Sequence, residues 1–171
     1  STSRTSLPTT LGALAGSTTV GSTAGAESVR ARWGWPLHPR PAVLRRFDPP
    51  ATRWGTGHRG VDLASAQGDT VRAVTDGIVT HVGVIAGRGT VSVLHEDGVR
   101  STYEPLDPIN DIVQGVEVTR GQILGVVSDI AGHCAPSTCL HLGAKRGDTY
   151  LDPLTYLQRP RIILLPLIDT P

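Results

Sequence analysis

Residues 71–103 read VRAVTDGIVTHVGVIAGRGTVSVLHEDGVRSTY, short apolar runs broken by Asp76-Gly77, Gly87-Arg88-Gly89 and Asp97-Gly98. Val is β-branched and suits a pleated, half-buried surface, whereas Asp-Gly supplies the backbone freedom of a tight turn. The spacing therefore predicts strands over 71–74, 78–84, 90–95 and 99–103, with hairpin turns at the two Asp-Gly pairs. Downstream, a loop containing Pro105 and Pro108 leads to residues 115–121, a turn that prepares a strand over 123–127. Residues 140–145 form the last predicted strand, and Asp152-Pro153-Leu154 starts a short turn or helix that closes the domain. Upstream, order is expected to begin near Trp33-Gly34-Trp35-Pro36-Leu37 and to continue through a Pro- and Arg-rich arm. No stretch shows a sustained helical period and no internal repeat is visible. The fold class is mostly β, built from antiparallel strands at short intervals.

With 171 residues the chain can build one domain with a proper core. Its 16 basic and 15 acidic residues leave a net charge of +1, which gives no footprint for nucleic acid. No apolar run reaches the length of a transmembrane helix, and the apolar tail 162–168 is short and broken by Pro166. Residues 1–32 are expected to be a flexible leader or linker, residues 33–158 the domain, and 159–171 a C-terminal tail. The first 26 residues are mostly Ser, Thr, Ala and Gly and bury too little apolar surface to offset ordering. Arg4, Leu11-Gly12-Ala13-Leu14-Ala15 and Ala24-Gly25-Ala26 faintly suggest a secretory signal.

Chemistry-bearing residues gather in two distant places. His58-Arg59-Gly60-Val61-Asp62 sets an imidazole and a carboxylate four positions apart, and a bend entering a strand can turn both inward. In the last strand, alternation sends Cys139 and His141 to one face. Two imidazoles and a carboxylate are a common zinc ligand set that leaves one position for water. Cys134 and Cys139 flank Pro136 in a compact loop; they read as a disulfide, with reduced metal-ligating thiolates as the alternative.

The order of short motifs resembles the LytM or lysostaphin-type peptidases, family M23. The matching pieces are His58-Arg59-Gly60-Val61-Asp62-Leu63, Gly68-Asp69-Thr70-Val71-Arg72-Ala73 and Asp76-Gly77-Ile78-Val79. They continue with residues 89–98, residues 118–125, Leu140-His141-Leu142 and Asp152-Pro153-Leu154, about three quarters of the chain. The resemblance implies an antiparallel β-sheet or sandwich with a groove, and one Zn2+ held by His58, Asp62 and His141. It further implies hydrolysis of peptide cross-links in bacterial peptidoglycan, at an extracytoplasmic site, secreted or attached to the cell envelope.

Two departures qualify that expectation. Active members have a histidine two residues before the last ligand, where this chain has Cys139, and a histidine in a Tyr-x-His-Leu strand, where it has Pro105. Neither proline nor a bridged cysteine can transfer a proton. His133, just before Cys134, is the favoured catalytic substitute, and Glu104 is the other. Alternation sends Glu104 to the face opposite Tyr103 and Pro105 unless the proline bulges the strand. A non-catalytic domain that binds peptidoglycan, or regulates a partner cell-wall hydrolase, is the alternative function.

His81 and His95 are expected to be exposed or hydrogen-bonded on strands, and His38 to be a surface residue.

Overall fold

The computed structural model describes residues 33–52, 55–130, 132 and 134–158. The expected leader and tail lie outside these residues, as does His133. Among the described residues, eleven strands and one helical turn follow one another in chain order. The first half contributes β1 (Val43–Arg45), β2 (Gly60–Ala64), β3 (Thr70–Arg72), β4 (Gly77–Ile85), β5 (Arg88–Leu94) and β6 (Val99–Glu104). The second half adds β7 (Leu106–Pro108), β8 (Glu117–Val118), β9 (Ile123–Val127), β10 (Cys139–Arg146), β11 (Thr149–Tyr150) and α1 (Leu154–Leu157). All pairings are antiparallel.

Eight strands make one sheet in the order β1-β2-β10-β6-β5-β4-β8, with β11 beside the far end of β10, while β3-β9-β7 make a second. Alternation along β10 decides what each face carries. Leu140, Leu142 and Ala144 are buried together with Val61 and Leu63 of β2, Tyr103 of β6 and Val91 and Val93 of β5. Val71, Leu124, Val127 and Leu106 of the smaller sheet complete the same apolar cluster. Cys139, His141, Gly143 and Lys145 consequently occupy the opposite face of the large sheet.

One sequence expectation is corrected here. Asp76-Gly77 does not close a hairpin between the strands on either side of it. β3 pairs with β9, and β4 pairs with β5 and β8, so the chain passes from the small sheet to the large one at this point. The Asp76 carboxylate instead accepts the Arg120 backbone N–H at 2.6 Å, tying that crossing to the turn before β9. By contrast, Asp97-Gly98 does join paired neighbours, β5 and β6, and Gly98 takes a positive φ of 77°. The Pro-rich arm contributes β1, which pairs with β2 across a register irregularity.

Polar groups inside the core are satisfied as a set. Val74 N–H donates to the Tyr103 hydroxyl at 3.0 Å, and Ser101 Oγ lies 3.0 Å from that hydroxyl and 2.8 Å from His95 Nε2. His95 Nδ1–H donates to the Asp76 carbonyl at 2.8 Å. Burial lowers the His95 pKa from its ordinary 6.5, against weaker opposing pulls from that carbonyl and from Asp97 and Asp76. Burial also pushes the Tyr103 hydroxyl up to about 12. Trp33 packs edge-on against His95 and stacks on Tyr156 at 4.8 Å, so the first described residue closes the core against α1.

Replacing Tyr103 with Phe would keep the ring but strand the Val74 N–H where water cannot reach it. The expected loss, read by urea unfolding, is about 1–3 kcal/mol; an unchanged midpoint would refute the assigned bond.

Candidate metal centre

Three side chains on the outer face of the large sheet converge. β2 and β10 pair in a register that sets His141 directly opposite Asp62, while Leu142 faces Val61 and Leu140 faces Leu63. The apolar pairs fix the register by burial, and the polar pair follows on the other face. His58 lies just before β2, joined by an isolated bridge to Asp48 through backbone bonds of 2.7 and 2.9 Å. That bridge and the bend at Arg59 turn the His58 ring back over β2.

Asp62 Oδ1 lies 3.0 Å from His58 Nε2 and 2.9 Å from His141 Nδ1, and the two ring nitrogens are 3.2 Å apart. Asp62 is 1% exposed and His58 4%, so water cannot readily separate them. His58 Nδ1 is 2.8 Å from the Arg46 carbonyl, which can only accept, so that nitrogen carries the proton. In the neutral tautomer that this bond selects, Nε2 would present a bare lone pair to a carboxylate oxygen. Such a cluster of electron pairs repels itself unless a cation or extra proton sits among them.

The donor atoms are spaced close to the ~3.4 Å expected between ligands of a tetrahedral zinc with bonds of about 2.1 Å. The residues fit a zinc ion, with the Arg46 carbonyl orienting one imidazole from behind. Gly60 makes room for the other imidazole. A Cβ there would meet His141 Nε2 at 2.6 Å and overlap the Leu142 carbonyl.

Cys134 and Cys139 form a disulfide with Cα atoms 6.0 Å apart. Their sulfurs and an Asp62 carboxylate oxygen lie within 4.8 Å of one another. Bridged sulfurs are not thiolates, so this second cluster does not compete for the metal. The bridge pins the loop before β10 against the buried carboxylate. His133, one peptide bond from Cys134, lies outside the described residues.

Glu104 is the cross-strand neighbour of His141, as Asp62 is on the other side. Tyr103 points into the core, so the face opposite it, to which alternation sends Glu104, is the face of the site. Its carboxylate is directed along the sheet towards β5, 3.5 Å from Arg88 Nη2 and accepting from Thr90 Oγ1 at 3.4 Å. Pro105 is buried, and its carbonyl accepts from Ser128 N–H at 3.3 Å. Neither Pro105 nor the bridged Cys139 offers a proton-transfer group.

His81 is half-buried on the same outer face, and its Nε2 is buried without a partner among the described residues. Sequence patterning did not single out the Arg46 carbonyl or Gly60. A backbone acceptor carries no side-chain signature, and a glycine in a motif has many reasons to be there.

The profile of peptidase family M23 matches residues 56–153. The uncharacterized protein Rv2891 of Mycobacterium tuberculosis is 42% identical over 142 residues, covering 80% of this chain and 55% of that protein. The chain thus spans about half the length of that relative. The DD-carboxypeptidase/endopeptidase Mpg of Neisseria gonorrhoeae is 32% identical over 99 residues, 57% of this chain and 22% of Mpg. The crystal structure of a putative peptidase M23 from Pseudomonas aeruginosa superposes with a TM-score of 0.60 at 25% identity. That match covers 75% of this chain and 51% of the Pseudomonas one.

Thiol titration of denatured, unreduced protein is expected to find no free thiol. His141→Ala should abolish stoichiometric zinc, read by elemental analysis after dialysis. A variant that still retains one equivalent would remove His141 from the centre.

Proposed function

Because the chain belongs to peptidase family M23, we propose that it holds one zinc ion on His58, Asp62 and His141 and hydrolyses peptide cross-links of bacterial peptidoglycan. The observation that carries this reading is the convergence of the Asp62 carboxylate and two imidazole nitrogens within 2.9–3.2 Å, with the His58 proton committed to the Arg46 carbonyl. Such a donor set is costly to keep buried without a cation. Zinc in this position would supply Lewis-acid polarisation of a scissile carbonyl.

The chain's own residues then have two tasks. An extended peptide would lie along the outer face of β2, β10 and β6, the face that carries His141 and Gly143. Proton transfer falls to His133, whose neighbour Cys134 is held by the bridge close to Asp62. Glu104, beside His141 in the sheet, is the second candidate. In that position it needs to swing away from Arg88 and Thr90, weak contacts of 3.5 and 3.4 Å. The disulfide also favours an oxidising, extracytoplasmic setting.

A second reading has its own support. Pro105 and bridged Cys139 occupy the two positions where active relatives carry histidines, and losing proton-transfer help typically costs about 100- to 10,000-fold in rate. A zinc-bearing domain that binds wall peptide or a partner hydrolase without cutting would tolerate both.

Zinc-loaded protein should release free amines from peptidoglycan, and a chelator should stop it. His133→Ala should then lower the rate by about 100-fold or more with zinc content unchanged. Stoichiometric zinc with no release from any wall type would decide for the binding domain.

A further inference from the structure

The disulfide sits where the large sheet carries its donor cluster. Cys139 opens β10, is only 2% exposed, and stands on the same face as His141 two residues further on. In the register with β2, Cys139 faces Ala64 and His141 faces Asp62, so the pairing that places the imidazole also places the sulfur. The Cys134 and Cys139 sulfurs lie within 4.8 Å of an Asp62 carboxylate oxygen. That carboxylate also lies 2.9 Å from His141 Nδ1 and 3.0 Å from His58 Nε2. Asp62 therefore belongs to two donor sets, one of imidazoles and one of sulfurs.

The two cysteines differ in what holds them. Cys139 is buried and fixed by strand pairing, whereas Cys134 is half-buried on a turn whose next residues, Ala135, Pro136 and Ser137, are exposed. A small dithiol from solvent reaches Cys134 first. Its thiolate attacks Cys134 Sγ, the S–S bond breaks, and Cys139 leaves as a thiolate. The second thiol of the reductant then displaces Cys134 and closes the reductant into its own disulfide. Of the two thiol protons the reductant gives up, one ends on Cys134 and one in solvent. The Cys139 thiolate is left beside a buried carboxylate, a pairing that needs a cation between the two charges. Thiolate, imidazole and carboxylate are all zinc ligands.

From this geometry we infer that reduction of the Cys134–Cys139 bridge makes Cys139 a fourth zinc ligand beside His58, Asp62 and His141. The inference rests on the zinc reading above and adds a redox control to it. Three protein ligands leave a position for water or substrate, whereas four close the centre and make it structural. The bridge keeps that position free, because a sulfur held in a disulfide is not a thiolate. Oxidation thus holds the centre open, and a single covalent bond decides between the two ligand sets.

The test compares oxidised protein, protein reduced with a dithiol that is removed before metal is added, and the variants Cys134→Ser and Cys139→Ser. Each is loaded with zinc for X-ray absorption, which reads the ligand atoms, and with cobalt for thiolate-to-metal charge transfer in the near ultraviolet. Oxidised protein is expected to show nitrogen and oxygen neighbours only. Reduced protein should gain one sulfur neighbour at about 2.3 Å, together with the charge-transfer band. Cys134→Ser leaves Cys139 free without any reductant and should show the same two signals. Cys139→Ser should show neither, reduced or not, while retaining its zinc. Zinc without a sulfur neighbour in both the reduced protein and Cys134→Ser would overturn the inference and leave the three-ligand centre standing. Sulfur signals that persist in Cys139→Ser would overturn it as well, by assigning the ligand to Cys134. Sulfur ligation on reduction, with no metal bound by the oxidised protein, would keep Cys139 as a ligand and overturn the three-ligand reading instead. No metal in either state would overturn both.

Discussion

The register of β10 between β2 and β6 is the constraint on which everything else in this molecule rests. Leu140, Leu142 and Ala144 enter the core only in that register, and the burial of their neighbours Val61, Leu63 and Tyr103 fixes it. Slippage by one residue would expose three apolar side chains and bury His141, Gly143 and Lys145 in their place. Apolar packing on one face thus positions the polar chemistry on the other. The donor cluster and the neighbouring Glu104 are both consequences of the same pairing.

Around that frame, local devices refine individual side chains. The Arg46 carbonyl fixes the His58 tautomer, the bridge to Asp48 fixes its backbone, and Gly60 gives the His141 ring space. The disulfide presses the loop before β10 against Asp62. The buried Val74–Tyr103–Ser101–His95 set works similarly on the core side, joining the small sheet's β3 region to β5 and β6 without an unsatisfied donor at Val74.

Much of this was legible in the sequence for physical reasons. Strands 78–84, 90–95 and 99–103 follow from Val-rich alternation and glycine turns, and alternation alone put Cys139 and His141 on one face. The connection at Asp76-Gly77 was misread because a turn signal marks a reversal of local direction and not the sheet to which the next strand belongs. Partner choice depends on β9, some fifty residues downstream, which no local pattern reports. Glu104 shows the opposite case. Its alternation was read rightly, but the orientation of the site depends on which side the core lies, and Tyr103 decides that by being buried. The approach of Arg59 and Lys145 to the Tyr150 ring, at 5.5 and 5.3 Å from its centre, was not legible, since it needs the bend at Arg59 and the β10–β11 turn to meet in space.

Asp62 and His141 are 79 residues apart in the chain, yet their side chains are 2.9 Å apart. Closing so long a loop is among the slowest events in folding a sheet. A chain still emerging from a ribosome, or being threaded through a translocation channel, owns His58 and Asp62 long before it owns the strand that completes the donor set. A cation held by all three donors would therefore load only onto the finished fold, the nascent chain having a two-donor fragment with which to capture it.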